Sequence, residues 1–309
     1  MVTILLATLN GEDYLKAQLE SIAAQTYENW QLVVGDDGST DGTISILEEF
    51  SKQYPEQVTI IKNDPPQGSA KDNFISLIQN SYGPYFMFCD QDDVWNKNKI
   101  EITFNRMLKV EKKYEGRPVL VHTDLEVVDQ NLESLGTSFM EYRALDSTIT
   151  SINRLLVQNN VTGCTMMINR VLLEKAMKLS DIDAIAMHDW WFSLVASLFG
   201  KISFVDQATI KYRQHGNNVV GATKVNTFSF ILQRLRGKNH IREVFHLSST
   251  QAQELLKIYD RKLNQKQKQC IQAMADLEKK NKIAKIYTVI RYGMLKQGIV
   301  QVIGEILFI

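Results

Sequence analysis

Three carboxylates, Asp90, Asp92 and Asp93, fall within four positions directly after Tyr85-Phe86-Met87-Phe88-Cys89, a run with the length and composition of a buried strand. Like charges a few ångströms apart raise one another's pKa, so carboxylates gathered at a strand end are costly unless a cation neutralises them. A hard divalent ion, Mg²⁺ or Mn²⁺, carrying a phosphate-bearing substrate removes that cost. The plainer reading has Asp92 or Asp93 capping a helix that starts near Asn96. A further carboxylate, Asp189, stands far along the chain in Met187-His188-Asp189-Trp190-Trp191, just before an apolar helix expected over 192–199. Tyr212-Arg213-Gln214-His215-Gly216-Asn217-Asn218 adds a loop imidazole and a guanidinium suited to bidentate pairing with phosphate.

The elements that must position these groups follow from the pattern. An apolar run at 2–6 reads as a strand and is followed by a polar connection containing Gly11. Leu15, Leu19 and Ile22 recur at helical spacing, giving a helix over about 15–24. A second strand is expected over 31–35, then a loop from Asp36 to Gly42, where Ser39 or Thr40 suits the cap of a helix bearing Ile44, Leu47 and Phe50. A third strand is expected at 58–61, and Gln67-Gly68-Ser69 opens a helix with Phe74, Leu77 and Ile78 on one side. Strand and helix alternate at βαβ spacing, which predicts an α/β fold, a mostly parallel sheet flanked by helices on both faces. Ligands of such sheets gather beyond the carboxyl ends of the strands. Thr8-Leu9-Asn10, Asp36-Asp37 and Asp90-Gln91-Asp92-Asp93 therefore meet at one crevice. No Gly-x-Gly-x-x-Gly or Gly-x-x-x-x-Gly-Lys-Ser/Thr is present, so neither dinucleotide nor P-loop binding fits. Lys71, one turn into the helix after Gly68, stands where a phosphate could be met near a helix's positive end, although a surface lysine reads the same.

Ala7-Thr8-Leu9-Asn10, Asp36-Asp37-Gly38-Ser39-Thr40-Asp41-Gly42-Thr43, Gly68-Ser69-Ala70-Lys71-Asp72-Asn73-Phe74 and Asp90-Gln91-Asp92-Asp93 occur in that order. Together they resemble the nucleotide-sugar domain of family 2 glycosyltransferases, which have the Rossmann-like GT-A fold, over roughly residues 1–220. The resemblance implies an inverting transferase that uses a nucleoside-diphosphate sugar and Mg²⁺ or Mn²⁺. By position, Thr8, Asn10, Asp36, Asp37, Lys71, Asp90 and Arg213 would line the donor. Asp92, with Asp93 and His215, would hold the metal. Asp189 matches the family's general base, with His188 replacing the acidic residue often found before it. The phrase Tyr-Arg-Gln-His-Gly-Asn-Asn is similar to the branch that transfers L-rhamnose from dTDP-L-rhamnose to lipid-linked glycans of bacterial cell-wall and O-antigen polysaccharides. Inverting transfer is a single displacement, so a base on the acceptor side must take the hydroxyl proton while a cation neutralises the leaving diphosphate.

The second half reads as the acceptor side. A strand over 119–123 is closed by Asp124, an irregular polar excursion spans 125–145, and 161–168 returns to strand before a helix marked by Leu172, Leu173 and Ala176. The expected organisation is a catalytic domain over 1–222, with a donor half at about 1–118 and an acceptor half at about 119–222. A helical, basic, amphipathic region over 223–309 completes it.

Zero net charge conceals that region's character. From Lys224 to Ile309 there are 16 lysines and arginines against six acidic residues, a surplus of +10, balanced by −10 over 1–223. A basic tail on an acidic body suits an anionic surface, membrane or polyphosphate. Apolar residues at 286, 287, 290 and 294, then at 299, 302, 303 and 306, form a stripe broken by lysine and arginine. Peripheral membrane contact through 282–309, or packing on a second subunit or on the catalytic domain, accounts for it equally; nucleic acid is not an expected partner. Three dispersed cysteines and no signal-like start imply a cytoplasmic chain, peripheral at the inner face of the membrane. Two other classes stay open: a sugar-nucleotide nucleotidyltransferase, which lacks support because no basic Gly-rich loop follows the first strand, and an inactive scaffold of a polysaccharide assembly complex.

Overall fold

The computed structural model describes residues 1–216 and 238–309. Its donor side is a run of strands and crossover helices: β1 (Val2–Thr8), α1 (Leu15–Ala23), β2 (Trp30–Asp36), α2 (Thr43–Gln53), β3 (Val58–Lys62), α3 (Ala70–Gln79) and β4 (Tyr85–Cys89). Next come β5 (Val94–Trp95), α4 (Lys99–Lys113), β6 (Val119–Val128), β7 (Ser134–Gly136), two one-turn helices α5 (Phe139–Tyr142) and α6 (Ile152–Leu155), β8 (Met166–Asn169), α7 (Arg170–Ala176), α8 (His188–Phe199) and β9 (Lys201–Arg213). Among the described residues after β9 are the α-helices Lys238–Tyr259, Gln265–Ala275, Lys282–Tyr292 and Ile299–Phe308.

The strands form one sheet in the order β3-β2-β1-β4-β8-β6-β9-β5, with β7 on β6. The first four are mutually parallel, as βαβ spacing demands, and β1 is buried almost throughout, which is why it is continuously apolar. β8 runs antiparallel to both of its neighbours, β4 and β6, and joins the two halves into a single surface. Alternate residues of the central strands face opposite layers. Leu5, Phe86 and Phe88 look toward α3, α7, α8 and the C-terminal helices; Ile4, Leu6, Met87 and Cys89 look toward α1, α2 and α4. Ile241, Leu255, Ile271, Met274 and Val289 of the C-terminal region share the first of these cores with Trp191 and Phe192 of α8.

Several local expectations give way. Neither Asp92 nor Asp93 caps a helix, because Val94 and Trp95 pair with Lys211 and Ile210 as a short edge strand and α4 starts only at Lys99. Ser39 and Thr40 do not cap α2, whose N-cap is Gly42; the Ser39 hydroxyl and amide are taken by Asp36. The strand expected to end at Asp124 continues to Val128, with register shifts around Asp124 that let one carboxylate oxygen accept the amides of Leu125 and Phe139. Residues 163–165 form a 3₁₀ turn and not strand, so β8 has only four residues. The apolar stripe at 286–294 also divides: Met294 is buried, whereas Tyr287 and Ile290 face outward.

Candidate active site

Three loops at the carboxyl ends of β1, β2 and β4 are laced together. Thr8 Oγ1 donates to Asp36 Oδ2 at 3.0 Å, and Asp36 Oδ1 accepts the amides of Gly38 at 3.2 Å and Ser39 at 2.9 Å. Asn10, at φ +48°, accepts the Thr40 amide on Oδ1 at 2.9 Å and donates its own amide to Ser39 Oγ at 2.9 Å. Gln91 acts as one more strand residue: its Oε1 accepts the Leu9 amide at 2.9 Å and its Nε2 donates to the Leu9 carbonyl at 3.0 Å. The pairing requires glycine at position 11, where a Cβ would lie 2.4 Å from Gln91 Oε1.

Asp37 turns to the neighbouring loop. Its Oδ1 accepts from Asn63 Nδ2 at 3.2 Å and from the Gln67 amide, and its Oδ2 accepts the Gly68 amide at 2.9 Å, closing the segment that leads into α3. Ser69 caps that helix by accepting the Asp72 amide. Lys71 reaches across to the segment before α8, donating to the Ile182 carbonyl at 3.0 Å and lying 3.5 Å from the Asp183 carboxylate. It thus spans the two halves, held by Ile182, Asp183 and Asp72.

The acidic cluster and the loop after β9 come together. His215 Nε2 stands 2.7 Å from Asp92 Oδ2, and its ring packs 4.7 Å from that of Tyr14. Arg213 donates Nε to the Asp92 carbonyl at 2.8 Å and another N–H to the Gln130 carbonyl, with its guanidinium 4.7 Å above the Tyr14 ring. Its main-chain amide binds Asp93 Oδ1 at 3.1 Å. Arg213 thus anchors the acidic loop to β9. Asp93 is wholly buried, and its Oδ2 has no hydrogen-bonding partner within the described residues. Asp90, Asp93 and Cys164 offer ligand atoms that all lie within 4.8 Å of one another. Beneath them Lys99 is fully buried, 4.8 Å over the Trp95 ring; desolvation pulls its pKa down to about 8, and its charge faces Cys164, Cys89 and Asp93. Orphaned buried carboxylate oxygen, crowded acids and an imidazole beside one of them fit a divalent cation with oxygen and nitrogen donors.

Asp189 sits in the first turn of α8, against Gly163 and near enough to Asp90 for the two charges to interact. Burial pushes its carboxyl up to about 7, against the opposing pull of the Trp190 and Gly163 amides. Asp90 is likewise held high, first by burial and then by the charges of Asp92 and Asp189, so the Asp189 charge is felt at the acidic cluster. His188, the adjacent residue, does not add charge. It lies buried between Phe74, at 4.3 Å, and Phe88, at 4.9 Å, and desolvation lowers its pKa to about 3. Gln91, Tyr14, Lys99 and Cys164 are the contributors that sequence reasoning gave no role. Gln91 lies inside the acidic motif, but nothing in one-dimensional spacing announces the other three.

A family model described as Glycosyl transferase family 2 matches residues 3–176, more than half of the chain. The chain belongs to glycosyltransferase family 2. This family 2 transferase is 29% identical over 227 residues to the dTDP-rhamnosyl transferase RfbG of Shigella flexneri, covering 70% of the chain and 74% of RfbG. It is 28% identical over 173 residues to the UDP-Glc:alpha-D-GlcNAc-diphosphoundecaprenol beta-1,3-glucosyltransferase WfgD of Escherichia coli, covering 56% of the chain and 62% of WfgD. Among solved structures, the Staphylococcus aureus TarS fragment 1–349 in complex with UDP-GlcNAc superposes with a TM-score of 0.55 at 16% identity, covering 99% of the chain and 89% of that fragment. The mannosyltransferase PcManGT from Pyrobaculum calidifontis, in complex with GDP-Man and Mn²⁺, does so at 0.55 and 17%, covering 94% and 73%. The fold is GT-A, with a helical C-terminal region on a mostly parallel sheet. Among the described residues of the transferase, no helix is long and apolar enough to cross a membrane.

Proposed function

We propose that this family 2 transferase is an inverting, metal-dependent enzyme that moves L-rhamnose from dTDP-L-rhamnose to a hydroxyl of a lipid-linked glycan, in the synthesis of a cell-surface polysaccharide at the cytoplasmic face of the membrane. The observation that carries the reading is that Asp189, in the first turn of α8, stands near enough to the acidic cluster for its charge to raise Asp90, while its own carboxyl is held near 7. The rhamnose assignment draws on the sequence similarity to RfbG and on the residues 212–218.

Each residue then has a task. Asp92 and His215, with Asp93 behind them, hold Mg²⁺ or Mn²⁺, which when bound neutralises charge on the departing diphosphate. Thr8, Asn10, Asp36 and Asp37 form the nucleoside wall, and the hydrogen bonds of Thr8 to Asp36, Thr40 to Asn10 and Gly68 to Asp37 keep it rigid before the donor arrives. Asp90 faces the ribose or the metal's water shell. Lys71 and Arg213 place positive charge at either side of the phosphate path, Arg213 through the loop it anchors. Asp189 accepts the proton of the attacking hydroxyl, and a carboxyl near 7 is matched to that task at neutral pH.

The test is nucleotide release from dTDP-L-rhamnose, UDP-glucose, UDP-GlcNAc and GDP-mannose, with Mn²⁺ and after chelation, alongside the shift each donor gives to the unfolding temperature. The reading predicts stabilisation and turnover by the dTDP sugar in the metal-loaded protein only. Equal stabilisation by every donor, or turnover after chelation, would sink the donor or the metal assignment respectively.

A further inference from the structure

The last two helices carry an apolar face that nothing in the described protein covers. Ile283, Tyr287 and Ile290 recur at helical spacing on Lys282–Tyr292, and Ile299, Ile303 and Leu307 recur on Ile299–Phe308. Ile283 is 82% exposed and Ile299 80% exposed, the highest values among the large apolar side chains of the described residues. The opposite sides of the same helices are already satisfied. Val289 and Met294 are buried in the core, with Ile286, Leu295 and Phe308 packed against it. Lys282 donates its ammonium to the Leu307 carbonyl at 2.6 Å, so the start of one helix meets the end of the other.

Exposed charge within 279–309 has one sign, with Glu278 the acidic neighbour that lines the cleft beside Lys282 and Lys285. From 279 to 309 the only acidic residue is Glu305, and it is fully buried, with Oε2 accepting the Lys296 amide at 2.8 Å. Lys279, Lys282 and Arg291 are exposed and Lys285 half-exposed. Isoleucine ridges flanked by lysine and arginine, with no exposed acidic side chain within 279–309, complement a surface that is apolar inside and anionic outside. We propose that these two helices dock on an anionic lipid surface.

The docking face is fastened to the acceptor side of the active site. Asn153 Nδ2 donates to the carbonyls of Tyr292 and Gly293, both at 3.1 Å. The Gln297 amide binds Gln158 Oε1 at 2.7 Å, and Gln158 Nε2 donates to Gln301 Oε1 at 3.0 Å. Within that segment the Leu155 carbonyl accepts Trp190 Nε1 at 2.6 Å, beside Asp189. A lipid surface held by the terminal helices is therefore held at a fixed relation to the base. The inference deepens the reading above, and rests on it for the class of the acceptor: a glycan presented on a lipid anchor.

The experiment is co-sedimentation of the 309-residue chain with vesicles of phosphatidylcholine alone and of phosphatidylcholine mixed with phosphatidylglycerol, without donor or metal. Binding is expected to the anionic vesicles, to fall with salt, and to weaken roughly fivefold for each of Lys282→Gln and Lys285→Gln. Ile283→Glu combined with Ile303→Glu should abolish it with an unchanged unfolding temperature, since both side chains are exposed. The proposal is overturned if the wild-type chain ignores anionic vesicles, if it binds them with the double variant unaffected, or if the double variant instead dissolves a dimer of a chain that binds no vesicles. Because no substrate is present, failure of sugar transfer leaves this result intact, and failure here leaves the transferase reading intact.

Discussion

His215 Nε2 lies 2.7 Å from Asp92 Oδ2, although 123 positions separate the two residues along the chain. The contact forms because Val94 and Trp95 pair with the end of β9, which carries the residues after Arg213 back over the acidic loop. Both side chains are largely enclosed, Asp92 14% and His215 10% exposed, and under the proposed function the pair would hold the cation. Asp92→Ala should remove detectable Mn²⁺ binding in calorimetry. His215→Ala should weaken it by about 10- to 100-fold, the usual cost of losing a group that supports a ligating carboxylate. Unchanged Mn²⁺ affinity in both variants would place the cation elsewhere.

Asp189→Asn should lower turnover by about 10²–10⁴-fold while leaving donor binding, read as thermal stabilisation by the nucleotide sugar, close to that of the parent. In the wild type, kcat/KM should rise with pH through an acid limb near 7, since the base works only when ionised and burial holds it at that value. An acid limb near 4, or an Asn variant that has also lost the donor, would contradict a role confined to proton transfer.

Gly11→Ala should destabilise the protein by roughly 0.5–1.5 kcal/mol, the net worth of the solvent-exposed pairing between Gln91 and Leu9. The new methyl would collide with Gln91 Oε1 at 2.4 Å and prise the amide from Leu9. Chemical denaturation gives the stability, and a matched Gln91→Ala should cost a similar amount without adding to it.

His122 and His188 should each subtract from stability on the acid side. Both imidazoles are buried with neither ring nitrogen partnered among the described residues, and desolvation holds each near 3. Between about 6.5 and 3 the unfolded chain takes up protons that the native state refuses, so stability falls as pH falls, by about 1.4 kcal/mol per pH unit for each histidine. The raised carboxyls of Asp90 and Asp189 act in the other direction, since the native state binds their protons more tightly between about 4 and 7. His122→Leu should therefore change the slope of stability against pH between about 6.5 and 3 by about 1.4 kcal/mol per pH unit, toward greater stability in acid, in urea titrations. A slope identical to the parent's would mean that His122 does not titrate on unfolding.

The donor side was the legible part of this chain. βαβ spacing places β1, β2 and β4 side by side, so the convergence of Thr8, Asp36 and Asp90 follows from periodicity and topology. The acceptor side was readable at Asp189 only through its likeness to a family. Long β6, with its register shifts at Asp124, looks irregular in sequence because a polar residue inside a strand is paired by a loop fifteen positions on. Lys99 was invisible for the reverse reason: a lysine opening a helix looks like a surface residue until the fold buries it against Trp95. The division of the terminal stripe into inward and outward faces was hidden too, since those helices are apolar on both sides.

The antiparallel strand β8 hydrogen-bonds to β4 on one side and to β6 on the other. A fragment cut at residue 118 would retain every donor-side loop yet leave Phe86 and its neighbours as a bare, greasy ribbon rim, ready to recruit another chain. The nucleotide pocket cannot be borrowed as a free-standing module, and attempts to express it alone should yield inclusion bodies.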